Sequence, residues 1–118
     1  MAVANLVNVG AIRPKLYAGD LTTSDVVLVD VDGDDCIKIE AIYLCNADTS
    51  NSCTADIQIS VDNGSNYYYL CSNLVIPPST TISIIDRPMM MDETDLIRGS
   101  ASANGDIDYI ISGINMTD

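Results

Sequence analysis

The sequence predicts an all-β domain, an antiparallel β-sandwich or jelly-roll-like fold of about eight strands. Three observations predict it. Apolar and polar residues alternate with a period of two in one segment after another, as in strands that bury one face and wet the other. Turn signals rich in Asp, Asn, Gly and Pro punctuate those segments every 8 to 12 residues or so, the spacing of sandwiches and small barrels. Fifteen of the 17 acidic residues are Asp, which favours turns and strand ends, whereas Glu favours helices. No window of helical length keeps a 3.6-residue period, apart from a single turn expected near residues 91 to 95.

Residues 1 to about 15 lack clean periodicity, and Pro14 would interrupt a regular strand interior. They are expected to form an extended arm or a short edge segment that leads into Leu16-Tyr17, an ordered arm packing against neighbouring subunits. Thr22 to Asp25 reads as a loop and Val26 to Val31 as a β-branched strand. Asp32-Gly33-Asp34-Asp35 is a turn, and Cys36 to Asn46 is the next strand. On strict alternation Ile37, Ile39, Ala41, Tyr43 and Cys45 share one face. Cys36, Lys38, Glu40, Ile42, Leu44 and Asn46 share the other, which changes from charged to apolar midway, so part of it is expected to be covered by a neighbour.

Ala47 to Ser52 is a polar loop. Cys53 to Val61 then alternates, with Cys53, Ala55, Ile57, Ile59 and Val61 inward. Asp62 to Asn66 is a turn containing Asn-Gly, a strong hairpin signal. Tyr67 to Cys71 is a strand, continued after a break by Leu74 to Ile76. Pro77-Pro78 ends it, Ser79 to Ile85 begins another, and Arg87-Pro88 breaks that one. Met89 to Asp95 leads to a closing pair of strands, Leu96 to Ala103 and Ile107 onward, expected to form a hairpin about Asn104-Gly105.

The 118 residues suit one domain, 1–118, with no internal repeat or linker. There is no Trp and no Phe, so Ile, Val, Leu, Ala, Met and Tyr must make a modest core to which docking against partners can add. The formal net charge of −12 repels nucleic-acid phosphates and anionic membranes, and no apolar run approaches the ~20 residues that span a bilayer. The first residues lack the basic leader of a signal peptide, so synthesis in the cytosol without export is expected, with Cys36, Cys45, Cys53 and Cys71 reduced.

Candidate chemistry is sparse. The acidic stretch Asp30 to Asp35 invites a calcium reading, but Gly33 is fourth and Glu40 eleventh from Asp30, where an EF-hand needs Gly sixth and Glu twelfth. A plain hairpin turn is expected there instead. No CxxC and no His are present, so neither a zinc site nor a Ser-His-Asp or Cys-His nucleophile is expected. Cys45 and Cys53 flank a short loop and a disulfide between them is geometrically open, with free buried thiols the expectation in a reducing compartment. No catalytic residue, cofactor or metal ligand is assigned.

The remaining candidates are contact residues. In Tyr67-Tyr68-Tyr69 one parity must point away from the core, and tyrosine suits interfaces because it joins an apolar body to a polar tip. Met89-Met90-Met91 follows the same logic, methionine being suited to adaptable contacts. Ile42 and Leu44, from the apolar half of their strand, complete the set. A carbohydrate-binding module using the tyrosines with loop Asp and Asn is the alternative of another class.

One further pattern carries a resemblance. The order IKIEAIYLCNADTSN, polar turn, YYYL and then Ile76-Pro77-Pro78-Ser79-Thr80 is followed by the acidic turn Asp92 to Asp95. Ala101-Ser102-Ala103 through Asp108 to Ser112 then matches an ASAxxxxDxxxS strand. Over roughly residues 36 to 114 this resembles small β-sandwich structural proteins of tailed bacteriophage virions. The resemblance implies a non-enzymatic virion component made in the host cytoplasm, most concretely a capsid decoration or cement protein, with neck, tail or baseplate accessories as alternatives. It implies a homo-oligomer whose partners are other virion proteins, the major capsid protein or neck and tail proteins, with no part for nucleic acid or membrane.

Overall fold

A computed structural model describes residues 11–117, which form two antiparallel sheets packed face to face. The strands are β1 (Ala11–Asp20), β2 (Val26–Asp30), β3 (Asp35–Asn46), β4 (Cys53–Ser60), β5 (Tyr68–Ile76), β6 (Thr80–Ser83), β7 (Met89–Met91), β8 (Leu96–Ala101) and β9 (Ile107–Thr117). The larger sheet has the order β1-β9-β3-β6, with β7 pairing β3 beside β6, and the smaller has the order β2-β8-β4-β5. No helix occurs among the described residues, including the turn expected near residue 93.

The pairing is nested. β4 pairs with β5, β3 with β6 and β7, β2 with β8, and β1 with β9, all antiparallel. With β6 and β7 taken as one interrupted strand, the chain is a long hairpin rolled over on itself, the double Greek-key winding of a jelly roll. The expected sandwich is therefore present, with nine strands for about eight.

Each sheet turns one side chain in two toward the other. From the larger sheet come Ile37, Ile39, Ile42, Leu44, Ile107 and Ile111, and from the smaller Val29, Ala55, Ile57, Ile76 and Ile97; all are buried. Each aliphatic side chain so buried is worth about 1.5–3 kcal/mol. Strict alternation along β3 fails at one place. The register shifts between Ile39 and Ala41, so Glu40 is an extra residue in a β-bulge. Beyond it the parity reverses, and Ile42, Leu44 and Asn46 join Ile37 and Ile39 on the inner face. The midway change of character seen in the sequence is this bulge, not a partner covering half of a face.

The bulge requires a close approach. Gly113 of β9 pairs with Ile39, and a Cβ built there would lie 2.5 Å from the Lys38 carbonyl oxygen. Only glycine permits that contact.

Two expectations about connections are corrected. β8 and β9 lie in different sheets, so Asn104-Gly105 is a crossover and not a hairpin. The Thr23 amide donates to Asn104 Oδ1 at 2.8 Å and the Gly105 amide to the Leu21 carbonyl at 3.1 Å, binding this crossover to the one between β1 and β2. The Asp32-Gly33-Asp34 turn likewise passes between sheets. Asp62 to Tyr67 does close a hairpin, β4 to β5, with Asn63 at φ 58° and Gly64 at φ 89°. Its last inward residue was expected to be Val61, which is instead exposed.

Cys45 and Cys53 stand on different sheets, and all four cysteines are free. The expected N-terminal arm lies in part outside the described residues. Residues 11 to 15 within it are regular strand, and Pro14 is accommodated because β1 is an edge strand.

One buried polar side chain ties the sheets together. Asn46 is fully buried at the end of β3 and donates from Nδ2 to the carbonyls of Asn51 and Ile76, both at 2.9 Å, while its Oδ1 accepts from the Asp48 amide at 3.0 Å. Asn46→Ala should lower stability by about 1–3 kcal/mol, because the buried Ile76 carbonyl and the partly buried Asn51 carbonyl lose their donor. Gly113→Ala should cost about 1–3 kcal/mol by overpacking against the bulge. Urea denaturation of each variant beside the parent checks both, and a loss below about 0.5 kcal/mol would contradict the corresponding account.

Candidate functional site

The contact residues expected from the sequence scatter. Ile42 and Leu44 are 0% exposed and belong to the core, so neither offers a docking surface. Met91 is buried, Met89 is half-buried against the core, and Met90 points outward, 52% exposed. Tyr68 and Tyr69 are both largely exposed, at the edge strand of the smaller sheet, but on opposite sides of it. Tyr67 lies under the Arg98 guanidinium, 3.5 Å from its ring centroid, a cation–π contact.

The outer faces of the two sheets differ. On the smaller sheet a polar network covers the middle strands β8 and β4, while Val27, Tyr69 and Val75 lie exposed on the edge strands β2 and β5. Arg98 donates from Nε to Gln58 Oε1 at 2.7 Å and lies 3.6 Å from Asp25, and Ser100, Asp56 and Thr54 continue the row. This is the polar-out pattern of an antiparallel sheet with one wet face.

The larger sheet departs from that pattern. Register places successive outward rungs across β1, β9 and β3: Ile12–Met116–Cys36, Pro14–Ile114–Lys38, Leu16–Ser112–Ala41 and Ala18–Ile110–Tyr43. Met90 extends the second rung beyond Lys38. Ile12 is 66% exposed, Leu16 71%, and Tyr43 and Ile110 more than a third. Lys38 forms an ion pair with Glu40 of the bulge at 3.3 Å, so the charge within the face is balanced locally. The result is a nearly continuous apolar surface, of a kind that marks protein contacts when it exceeds a few hundred Å².

Reading the strands one face at a time missed this surface. The available signal was apolar residues at both parities of β9: Ile107 and Ile111 inward, Ile110, Ile114 and Met116 outward. Ile12 was read as part of the arm and Leu16 as the residue it leads into, although the two fall on one parity.

One rung closes the face with charge. Asp20 pairs with Asp108, which pairs with Cys45. The two carboxyl groups meet, and Asp108 is raised above the ordinary carboxylate range, first by the hydrogen bond it shares with Asp20, then by desolvation and by the Asp20 charge. Elsewhere the acids are held in turns. Asp48 is lowered by the amides of Ser50 and Asn51, and Asp62 by the side chain and amide of Asn66. Burial raises the Cys71 thiol, which keeps it in the unreactive protonated form. Among the described residues no three acids or cysteines converge as metal ligands, and no cavity opens.

The carboxyl pair has a definite pH signature. Asp108 in the folded protein retains a proton that the unfolded chain has already released. Its contribution is most favourable below the ordinary carboxylate range and is lost as pH rises through the raised value. Asp108→Asn should therefore stabilise the protein at pH 7, by a few tenths of a kcal/mol because the pair is largely solvated. The gain should shrink at pH 3. Paired thermal melts of parent and variant at the two pH values test this, and a gain that is larger at pH 3 would refute the shared proton.

No protein-family model and no curated protein matches the chain. Among solved structures it is similar to a pentameric capsid protein isolated from metagenomic phage sequences, at 12% identity and a TM-score of 0.42, covering 96% of this chain and 62% of that one. A second structure of a pentameric capsid protein from the same kind of source, solved by iodide phasing, gives the same identity and TM-score and 63% coverage of its chain. The infectious bursal disease virus VP2 subviral particle is similar at 13% identity and a TM-score of 0.37, over 92% of this chain and 33% of that one. The chain thus spans less than two thirds of the length of each of these proteins.

Proposed function

We propose that this chain is a non-enzymatic structural protein of a bacteriophage virion that works through protein–protein contacts, most concretely as a capsid decoration or cement protein. The observation that carries the reading is the apolar outer face of the larger sheet, which runs across its middle strands β9 and β3, beside a smaller sheet whose middle strands are polar outward. A partner seated on that face stabilises the folded chain and the particle by mass action, without a chemical step. Jelly-roll winding is a recurrent choice for capsid domains and also for lectins, so topology alone is compatible with a sugar-binding protein. The tyrosines fit that second class poorly. The Tyr67 ring is already occupied by Arg98, and Tyr68 and Tyr69 point to opposite sides of a strand, so they form no common platform. Neck, tail and baseplate positions are the second reading within the same class.

Gold labelling of purified particles with an antibody against this chain separates the positions. Label over the head surface is the expected outcome. Label confined to the neck, tail or baseplate replaces decoration with an accessory role, and unlabelled particles together with glycan binding would overturn the structural reading.

A further inference from the structure

We infer that the outer face of the larger sheet is the contact between two copies of this chain, packed face to face. The inference rests on the assembly role proposed above and names the partner for that surface.

Charge favours a second copy over a basic partner. At a formal charge of −12, two copies repel wherever their acidic loops meet. From the Ile12 rung to the Ala18 rung the outward charges are Lys38 and the neighbouring Glu40, already paired with each other. A basic partner would be met best by acids, which the turns carry in quantity. A neutral apolar face suits a neighbour that bears the same excess charge.

The edge of the sheet argues for facial contact. β1 is a ten-residue edge strand, long enough to template a strand from another chain. Its middle reads Arg13-Pro14-Lys15, all exposed. Proline offers no N–H to an incoming strand, and two cations oppose a like edge. Side-by-side extension of the sheet is thus blunted, while the face beside it is open.

Symmetry agrees. The four rungs from Ile12 to Ala18 cover a patch about 20 Å long and 15 Å wide, smaller than the roughly 800 Å² that each partner gives to a standard interface and suited to a weak pairing. A two-fold contact uses one patch on both partners, so an apolar rung meets an apolar rung. The Asp20–Asp108 pair falls at the rim, where water still reaches it.

Sedimentation velocity of the full chain between about 1 and 200 μM tests the pairing. The expected result is a dimer whose association constant rises severalfold between about 20 and 500 mM NaCl, because salt screens the repulsion between two acidic bodies. The double variant Leu16→Asp/Ile110→Asp should weaken association at least about 100-fold with an unchanged far-ultraviolet circular dichroism spectrum. Val75→Asp, on the outer face of the smaller sheet, should leave it unchanged. Should the double variant lose its fold, Ile110→Ser gives the same readout with a milder change. A monomer at every concentration and salt, a dimer weakened by salt, or a face variant that associates like the parent overturns the inference. A monomer that still labels particles removes the second copy as partner and leaves the structural role standing. A salt-strengthened dimer that labels nothing supports the pairing and removes the particle.

Discussion

The structure depends on β9 lying between β1 and β3. This one strand supplies both neighbours with their ladder, closes the outermost pair of the nested winding, and carries side chains to both faces of the larger sheet. Its inward residues Ile107 and Ile111 enter the core, and its outward residues Ile110, Ile114 and Met116 form the middle of the apolar face. Gly113 sits where the two demands conflict. The bulge at Glu40 presses the β3 backbone onto β9, and the absent side chain lets the ladder continue past it.

The two sheets solve the same problem differently. An antiparallel sheet needs one face buried and leaves the other to solvent. The smaller sheet does so, with Arg98 joining Gln58, Asp25 and Tyr67 in one network. Apart from Glu40 of the bulge, the larger sheet keeps its acids at the ends of strands and in the turns, and its outward rungs are mostly apolar. In a chain without Phe or Trp, apolar surface is scarce. Its placement on an outward face is therefore an expense in solubility that folding alone does not require.

Much of the fold was legible because period-two alternation and turn residues are local properties. The strands β3, β4 and β9 and the β4–β5 hairpin follow from residues that are neighbours in sequence. Two kinds of information were not local. Asn63-Gly64 and Asn104-Gly105 are the same dipeptide with a positive φ at glycine, yet one closes a hairpin and the other crosses between sheets. The difference lies in partners about 80 residues away, such as Thr23 on Asn104. The bulge at Glu40 has no local signature either, and a single added residue moved Ile42 and Leu44 from an expected contact surface into the core. The surface itself was half legible: alternation placed Met90 among possible outward residues, but the rungs exist only once β1, β9 and β3 are aligned.

The nested winding also fixes the order in which the molecule can be completed. Among the described residues β1 comes first, and its ladder partner is β9, the last of their strands. During translation β1 stays without that neighbour until β9 has left the ribosome, and the larger sheet cannot close before then. Pairings so distant along the chain make for slow folding. They also leave the aliphatic side chains of β1 unsheltered until β9 emerges, when Arg13, Pro14 and Lys15 would be the residues that hold off premature association.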